Sequence, residues 1–285
     1  MTLDDLPDIG RHDVGSFRGV PVVAHEDDRW IIPAVAAASG SARLRLPVQL
    51  VSLDRHHDAC VLRKGLGEIP RVRGAGLPDA DLLRVVDSHL SSNDDDWIKA
   101  GMELGVFGDV IVWGVDPNGP SFDDEAEYRD HLGQPHKLFV ECSLPDGQLQ
   151  FQGSLCDAVR RDELEPYWDA LGWEVSSRRL GFNDLRHQLV VNIDLDCFAI
   201  SWQGFTLPWP EEVWEARFNS PSTYSGTKGM TGGNVLRSLV GRASLITIAR
   251  EPGCTGGREK GRRIYDELKH YLFEDAATLP VYPES

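Results

Sequence analysis

Three features of the chain predict a three-layer α/β/α fold with a mostly parallel central sheet. Short apolar runs that are typical of buried strands alternate with stretches that have helical periodicity. The apolar runs contain few polar residues, as expected for strands that helices cover on both faces. Acidic and other polar side chains follow several of these runs directly, and open parallel sheets bind ligands at the carboxyl ends of their strands.

The predicted elements alternate along the whole chain. The predicted strands are Val20–Ala24, Val48–Leu53, Val110–Val115, Lys137–Ser143, Leu189–Ile193 and Ser244–Ala249. The predicted helices are Arg29–Ser39, Pro78–Leu90, Asp95–Gly105, Asp162–Leu171, Glu211–Phe218, Gly233–Val240 and Thr255–Leu272. Within Lys137–Phe151 a Pro-Asp-Gly turn separates two strand-like runs, which is typical of a hairpin. We expect one domain over residues 1–285, with this hairpin as an excursion at 137–151.

Composition narrows the classes of function. The chain has 285 residues, and 41% of them are hydrophobic, which is enough for a large core. A net charge of −16 disfavours a nucleic-acid surface and favours metal ions or cationic substrates. The five cysteines are scattered, with none in a CxxC pair, which indicates reduced thiols and a cytoplasmic protein. We see no signal peptide and no apolar run near the ~20 residues that span a bilayer, so no membrane contact is expected.

Two acidic segments carry most of the chemical information. Asp54, His56 and Asp58 follow the strand Val48–Leu53, and side chains two residues apart share a face in an extended segment. Asp194 and Asp196 close the strand at Leu189–Ile193 in the same way. Buried carboxylates repel each other, and divalent cations remove that cost. Carboxylate oxygen suits hard cations such as Mn²⁺, so the two segments together predict a metal site, and specifically a two-metal site.

These motifs resemble those of the arginase–agmatinase–deacetylase superfamily, whose members carry a D-x-H-x-D segment and a later D-x-D segment. The superfamily also places a histidine at an earlier strand end, which His25 matches after Val22-Val23-Ala24. In more detail the chain resembles arginase-related peptide arginases, through the Asp194-Leu195-Asp196-Cys197-Phe198 form and the late Ile246–Ala249 strand before a Thr-Gly-Gly loop. Members of that group convert arginine side chains of a ribosomally made precursor peptide to ornithine and release urea.

The resemblance implies two Mn²⁺ ions per chain. It assigns to the first ion the ligands His25, Asp54, Asp58 and Asp194. It assigns to the second ion the ligands His56, Asp54, Asp194 and Asp196. His57 departs from the usual small or polar residue, and we expect it beside the ligands rather than among them.

Catalytic and substrate-binding roles are also implied. Asp58 is expected to accept a hydrogen bond from the attacking hydroxide and to carry its proton, and Glu251 to bind the guanidinium through charge-assisted hydrogen bonds. Trp97, after an acidic stretch, is expected either to meet a cationic peptide or to anchor the start of a helix. The proton donor to the leaving amine is not placed, and His89 and His136 are the candidates.

The expected activity is therefore hydrolysis of arginine residues in a peptide, with the oligomeric state open and a homo-oligomer among the options. Free arginine as the substrate is a second option, although Cys60–Ala75 holds no recognisable group for its α-amino and α-carboxylate ends. The nearest rival is a metal-dependent deacetylase of the same superfamily, which typically holds one Zn²⁺. A non-catalytic peptide-binding protein and a two-metal phosphoesterase are the remaining alternatives.

Overall fold

The computed structural model describes residues 1–60, 62, 79–91, 93, 95–113, 127–141, 189–202, 205–219 and 231–283. Its strands are β1 (His12–Phe17), β2 (Val20–His25), β3 (Val48–Leu53), β4 (Phe107–Trp113), β5 (Glu127–Arg129), β6 (Pro135–Glu141), β7 (Leu189–Asp194), β8 (Ala199–Trp202), β9 (Phe205–Pro208) and β10 (Leu245–Ala249). Its α-helices are α1 (Ile31–Gly40), α2 (Asp79–Ser88), α3 (Trp97–Glu103), α4 (Glu211–Asn219), α5 (Gly232–Val240) and α6 (Arg258–Phe273).

A mostly parallel sheet forms the centre of the described structure. Its strand order is β1-β2-β10-β7-β3-β4-β6-β5, and β8 and β9 form a separate antiparallel pair. The six inner strands run parallel, whereas β1 and β5 are antiparallel edge strands. The carboxyl ends of β2, β10, β7 and β3 therefore meet along one edge of the sheet.

Alternate residues of the inner strands enter two separate cores, which makes the fold three-layered. On β7, Val191 and Ile193 pack with apolar residues of α4, α5 and α6. Val190 packs on the opposite face, with apolar residues of α1, α2 and α3. Because side chains alternate along a strand, inner strands covered on both faces are apolar throughout, and this explains the apolar runs in the sequence.

The inner strands and the described helices confirm the predicted α/β/α class. β3 has the predicted bounds, and β2, β4, β6, β7 and β10 overlap the runs that predict them. The sequence signals miss β1, β5, β8 and β9, because these are edge or paired strands without a continuous apolar run; β9, for example, alternates exposed and half-buried residues.

Two predicted elements fall partly or wholly outside the described residues. The predicted helix Asp162–Leu171 lies there entirely. Of the predicted hairpin, the first part belongs to β6, which pairs parallel to β4 and antiparallel to β5, and residues 142–151 lie outside the described chain. Within the described parts of the chain, no helix is both long and apolar enough to span a membrane.

Candidate metal centre

The end of β3 places the first acidic segment. Asp54 follows the last strand residue and is fully buried, and its Oδ1 accepts a hydrogen bond of 2.7 Å from the backbone N–H of His56. This bond turns the chain sharply within two residues. Asp58, also buried, then adopts a positive φ of 45°, a strained backbone conformation for a residue with a side chain. The turn keeps Asp54 and Asp58 close together.

The end of β7 places the second acidic segment beside the first, because β7 and β3 are adjacent parallel strands. Asp194 is the last residue of β7, and its Oδ1 accepts a 2.9 Å hydrogen bond from the backbone N–H of Asp196 in the following 3₁₀ turn. The backbone N–H of Arg55 donates to Asp196 Oδ1 over 3.3 Å, which ties the two segments together. Both aspartates are fully buried.

The imidazole of His56 contacts the second segment. Its Nδ1 lies 2.9 Å from Asp196 Oδ2, and its side chain is 45% exposed while the carboxylate is buried. The hydrogen bond to Asp196 raises the pKa of His56 to about 9, against the opposing effect of burial. Without a bound cation, the histidine thus supplies positive charge to the carboxylates.

Ligand atoms from these segments lie close enough to hold metal ions. Those of Asp54, His56, Asp194 and Asp196 are all within 4.8 Å of one another, and so are those of Asp28, Asp54 and Asp58. Asp54 belongs to both groups and is therefore positioned to bridge two ions. Asp194 also joins Asp28 and Glu251 in a third such group, which places it between the two positions as well.

The electrostatics of the cluster favour cation binding. Burial raises the pKa of Asp54 and of Asp194 well above the usual range, and neighbouring carboxylates raise it further. Oδ2 of Asp54 and Oδ2 of Asp194 are buried and receive no hydrogen bond. An unsatisfied buried carboxylate oxygen is costly, and a divalent cation would remove this cost. The donors are oxygen with one imidazole, which suits Mn²⁺ and related ions.

Trp97 lies next to Asp58 and forms a hydrogen bond with its carboxylate. Its indole is fully buried at the start of α3, and its Nε1–H donates to Asp58 Oδ2 over 2.7 Å. Burial, followed by the negative charge of Glu251, raises the pKa of Asp58 to about 8, and the indole hydrogen bond opposes this shift. Trp97 therefore anchors α3 and orients Asp58. These contacts support the anchoring role of Trp97, whose ring has no exposed surface, and its substrate-binding role stays a prediction.

Glu251 stands at the rim of the cluster. It follows β10, is partly buried, has a φ of 33°, and its backbone N–H donates to Glu26 O over 2.9 Å. Its ligand atom belongs to a fourth close group, with His56, Asp196 and Cys254. Burial and the Glu251 charge raise the pKa of the Cys254 thiol, so this sulfur is neutral near pH 7. Glu251 is thus a carboxylate at the open side of the cluster.

After β2, the close ligand groups of the described residues include Asp28 but not the predicted ligand His25. His25 is fully buried at the end of β2, and its Nδ1 lies 2.9 Å from Asp27 O. Among the described residues it belongs to none of the close ligand groups, whereas Asp28 belongs to two. Sequence reasoning missed Asp28; the signal available was a second acidic residue just beyond a strand end, within Glu26-Asp27-Asp28.

Among the described histidines, His57 lies beside the cluster and His136 lies apart from it. His57 is buried next to the ligands, and its Nδ1 accepts from the backbone N–H of Ala59. His136 lies at the start of β6, the opposite end of the sheet, with its Nδ1 3.1 Å from Gly108 O. The structure therefore removes His136 as a candidate proton donor. His89 follows α2, and its role stays a prediction.

Comparisons with known proteins find a similar solved structure, and no family model or curated protein. The sequence matches no protein-family model and no curated protein. Among solved structures it is similar to proclavaminate amidino hydrolase from Streptomyces clavuligerus, at 13% identity and a TM-score of 0.38. The match covers 90% of this chain and 64% of that one, so the chain spans less than two thirds of its neighbour's length. A similarity at this level does not assign an activity, so the function is inferred from the residues of the site.

Proposed function

We propose that this chain is a dinuclear Mn²⁺ hydrolase that acts on the guanidinium group of arginine residues in a peptide, giving ornithine and urea. One observation carries the proposal: two overlapping groups of ligands, all buried except His56, share Asp54 at the carboxyl ends of adjacent parallel strands. Shared carboxylates are the hallmark of centres in which two ions lie ~3.5–4 Å apart. The resemblance of the acidic motifs to those of arginases supports the same assignment.

Five of the residues that would hold the ions are Asp54, His56, Asp58, Asp194 and Asp196. Bound cations would supply Lewis acidity and lower the pKa of a water molecule toward neutrality. Asp58, a buried carboxylate beside the proposed ion positions, would accept a hydrogen bond from that water and carry its proton. Trp97 holds one of its carboxylate oxygens and so fixes the direction of the other.

Glu251 is the proposed guanidinium-binding residue. It lies within the reach of the acidic cluster but on its partly exposed side, and its carboxylate can accept paired hydrogen bonds from a planar cation. Such a contact would orient the guanidinium carbon toward the ligands. Of the two predicted candidates for the proton donor, His89, which follows α2, is the one that we retain.

Three features support a peptide as the substrate. The half-exposed His56 and Glu251 indicate an open approach to the cluster, and a net charge of −16 attracts a cationic peptide. The sequence offers no recognisable group for the ends of a free amino acid in 60–75. Among the described residues, Cys60, Cys197 and Cys254 form no disulfide, in keeping with a proposed reducing, cytoplasmic location.

The proposal is tested by incubating Mn²⁺-loaded protein with arginine-containing peptides and with free arginine, followed by mass spectrometry and urea detection. Conversion of one arginine to ornithine adds water and releases urea, so the peptide loses CN₂H₂. The matched control is Glu274→Gln, because Glu274 pairs with Arg18 on the surface and should leave turnover unchanged. Release of acetate from acetylated peptides, with no urea, would instead identify the deacetylase of the same superfamily.

A further inference from the structure

The strand order separates His25 from the metal cluster. β10 lies between β2 and β7, and Ala249 on β10 is in register with both His25 and Asp194. Neighbouring strands are about 4.8 Å apart, so the backbones of His25 and Asp194 are roughly 10 Å apart. The Nδ1 of His25 is engaged with Asp27 O, and its ring lies 6.2 Å from that of His12 on the outer strand β1. The ring of His25 therefore packs beside that of its cross-strand partner His12, and its Nδ1 is already engaged.

Asp28 is brought back over the cluster by the turn that follows β2. It begins the 3₁₀ helix Asp28–Trp30, its side chain is fully buried, and its backbone N–H lies 3.4 Å from Glu251 Oε1. Its ligand atom is within 4.8 Å of those of Asp54 and Asp58 in one group, and of Asp194 and Glu251 in another. A ligand of the first ion must lie close to the other proposed ligands of that ion, and Asp28 lies close to three of them: Asp54, Asp58 and Asp194.

A buried polar network holds the carboxylate in place. Asn192, fully buried in the middle of β7, donates from Nδ2 to Asp28 Oδ1 and to Ser52 Oγ, each over 3.0 Å. Thr247 Oγ1 donates to Asn192 Oδ1 over 2.7 Å. Three adjacent strands thus each contribute one polar residue inside an otherwise apolar layer. Such a network is costly to bury unless every member is satisfied, and here it ends on Asp28.

We infer that Asp28, rather than His25, completes the ligands of the first ion, and that Asn192 is its positioning residue. This inference rests on the proposed dinuclear centre and deepens it. The first ion would then be held by oxygen alone, from Asp28, Asp54, Asp58 and Asp194, whereas the second would also have an imidazole. Oxygen-only sites suit Mg²⁺ and Mn²⁺, and imidazole favours Zn²⁺ and its neighbours, so the two positions should differ in metal preference.

The unpaired oxygens of Asp54 and Asp194 provide the independent support for an ion here. Both are nine-tenths buried or more, and neither Oδ2 receives a hydrogen bond. A third buried carboxylate beside them, itself oriented by an amide donor, adds negative charge where none is needed for packing. A cation explains why the fold tolerates all three.

The test compares Asp28→Asn with His25→Gln by equilibrium dialysis against Mn²⁺ and by electron paramagnetic resonance. The wild type and His25→Gln should each bind two ions with an exchange-coupled spectrum. Asp28→Asn should bind one ion and show the spectrum of isolated Mn²⁺ at the concentration that saturates the wild type. Asn192→Ala should retain both sites but weaken the first about 10–100-fold, as for other residues that orient a ligand.

The outcomes separate this inference from the proposed function. Circular dichroism and the melting temperature without metal establish that each variant is folded; Asp28→Asn should melt higher than the wild type, because one buried negative charge is gone. If folded Asp28→Asn still binds two coupled ions, the inference is wrong while the dinuclear centre stands. If the wild type binds no Mn²⁺, both fail. An Asp28→His variant that binds two ions and retains Zn²⁺ more tightly at the first position supports the inference further.

Discussion

The two halves of the acidic cluster are held in different ways. On the β3–β7 half, Asp54 and Asp194 stand at the strand ends, and each accepts a hydrogen bond from a backbone N–H two residues ahead. On the β2–β10 half, Asp28 and Glu251 lie beyond their strands, and their contacts join residues far apart in the chain. The first half is built by local turns, whereas the second depends on β10 lying between β2 and β7.

The largest effect should come from the bridging carboxylate of the locally built half. Asp194→Ala removes an oxygen donor from both proposed ion positions. We expect the loss of both ions at micromolar Mn²⁺ and a fall in arginine-to-ornithine conversion of about 10³-fold or more, since metal ions supply several kcal/mol of transition-state stabilisation. Dialysis and mass spectrometry measure the two effects. Full activity in a folded Asp194→Ala protein would contradict the role of this half.

Glu251→Gln probes the other half without removing a proposed principal ligand. The amide keeps the shape of the side chain but loses the charge that would bind a guanidinium. A hydrogen bond between charged groups contributes about 1.5–3 kcal/mol, so KM for the peptide should rise roughly 10–100-fold. Steady-state kinetics with a series of peptide concentrations measures this change.

The control for Glu251→Gln is the Mn²⁺ stoichiometry, which should stay at two ions. A loss of one ion with an unchanged KM would make Glu251 a metal ligand instead, a role that its position near Asp194 allows. Both halves of the cluster would then contribute ligands to the metal ions.

Trp97→Phe tests how much the orientation of Asp58 matters. The change removes the N–H that donates to Asp58 Oδ2 and leaves most of the buried ring. We expect the first ion to bind about 10–100-fold more weakly, as when other orienting partners of a metal ligand are removed. Calorimetric titration with Mn²⁺ measures the affinity.

Trp214→Phe is the matched control for that variant. Trp214 is also fully buried, but it lies in the core on the other face of the sheet, and its Nε1 donates to no described group. The same substitution there should lower stability without changing Mn²⁺ affinity. Equal losses of affinity in the two variants would show that the effect of Trp97 comes from packing alone.

The smallest predicted effect is a pH dependence of the metal-free protein. The pKa of Asp58 is raised to about 8, so the folded state holds a proton there that the unfolded state has lost, and stability declines as pH rises toward 8. The pKa of His56 is raised to about 9, so its contribution is complete below pH 6.5 and is lost as pH rises through 9. Both shifts predict a melting temperature that falls between pH 6.5 and 9.

The pH experiment uses differential scanning calorimetry with a chelator, and Asp58→Asn as the control. That variant lacks the aspartate titration and should show a shallower decline with pH. Added Mn²⁺ should reverse the trend, because ligands must lose protons to bind the metal. At 100 times the Kd, one ion adds about 2.7 kcal/mol of stability. A metal-free melting temperature that rises with pH would contradict the assigned shifts.

The sequence predicts the locally built half better than the other for a physical reason. The positions of five predicted ligands follow from strand ends and two-residue turns, and the hydrophobic periodicity of the sequence predicts those strand ends. The five are Asp54, His56, Asp58, Asp194 and Asp196. The choice between His25 and Asp28 depends on strand order, and no local pattern records that β10 separates β2 from β7. Likewise, the burial of Trp97 beside Asp58 follows from packing between α3 and the turn after β3, so the sequence could predict its anchoring role but not its hydrogen bond to Asp58.

The most direct test of the dinuclear assignment is electron paramagnetic resonance of the wild-type protein titrated with Mn²⁺. Two ions that share Asp54 and Asp194 should give an exchange-coupled spectrum that grows with the second equivalent and disappears in Asp194→Ala. Two independent signals of isolated Mn²⁺, or no protein-bound signal at all, would contradict a centre bridged by the carboxylates of β3 and β7.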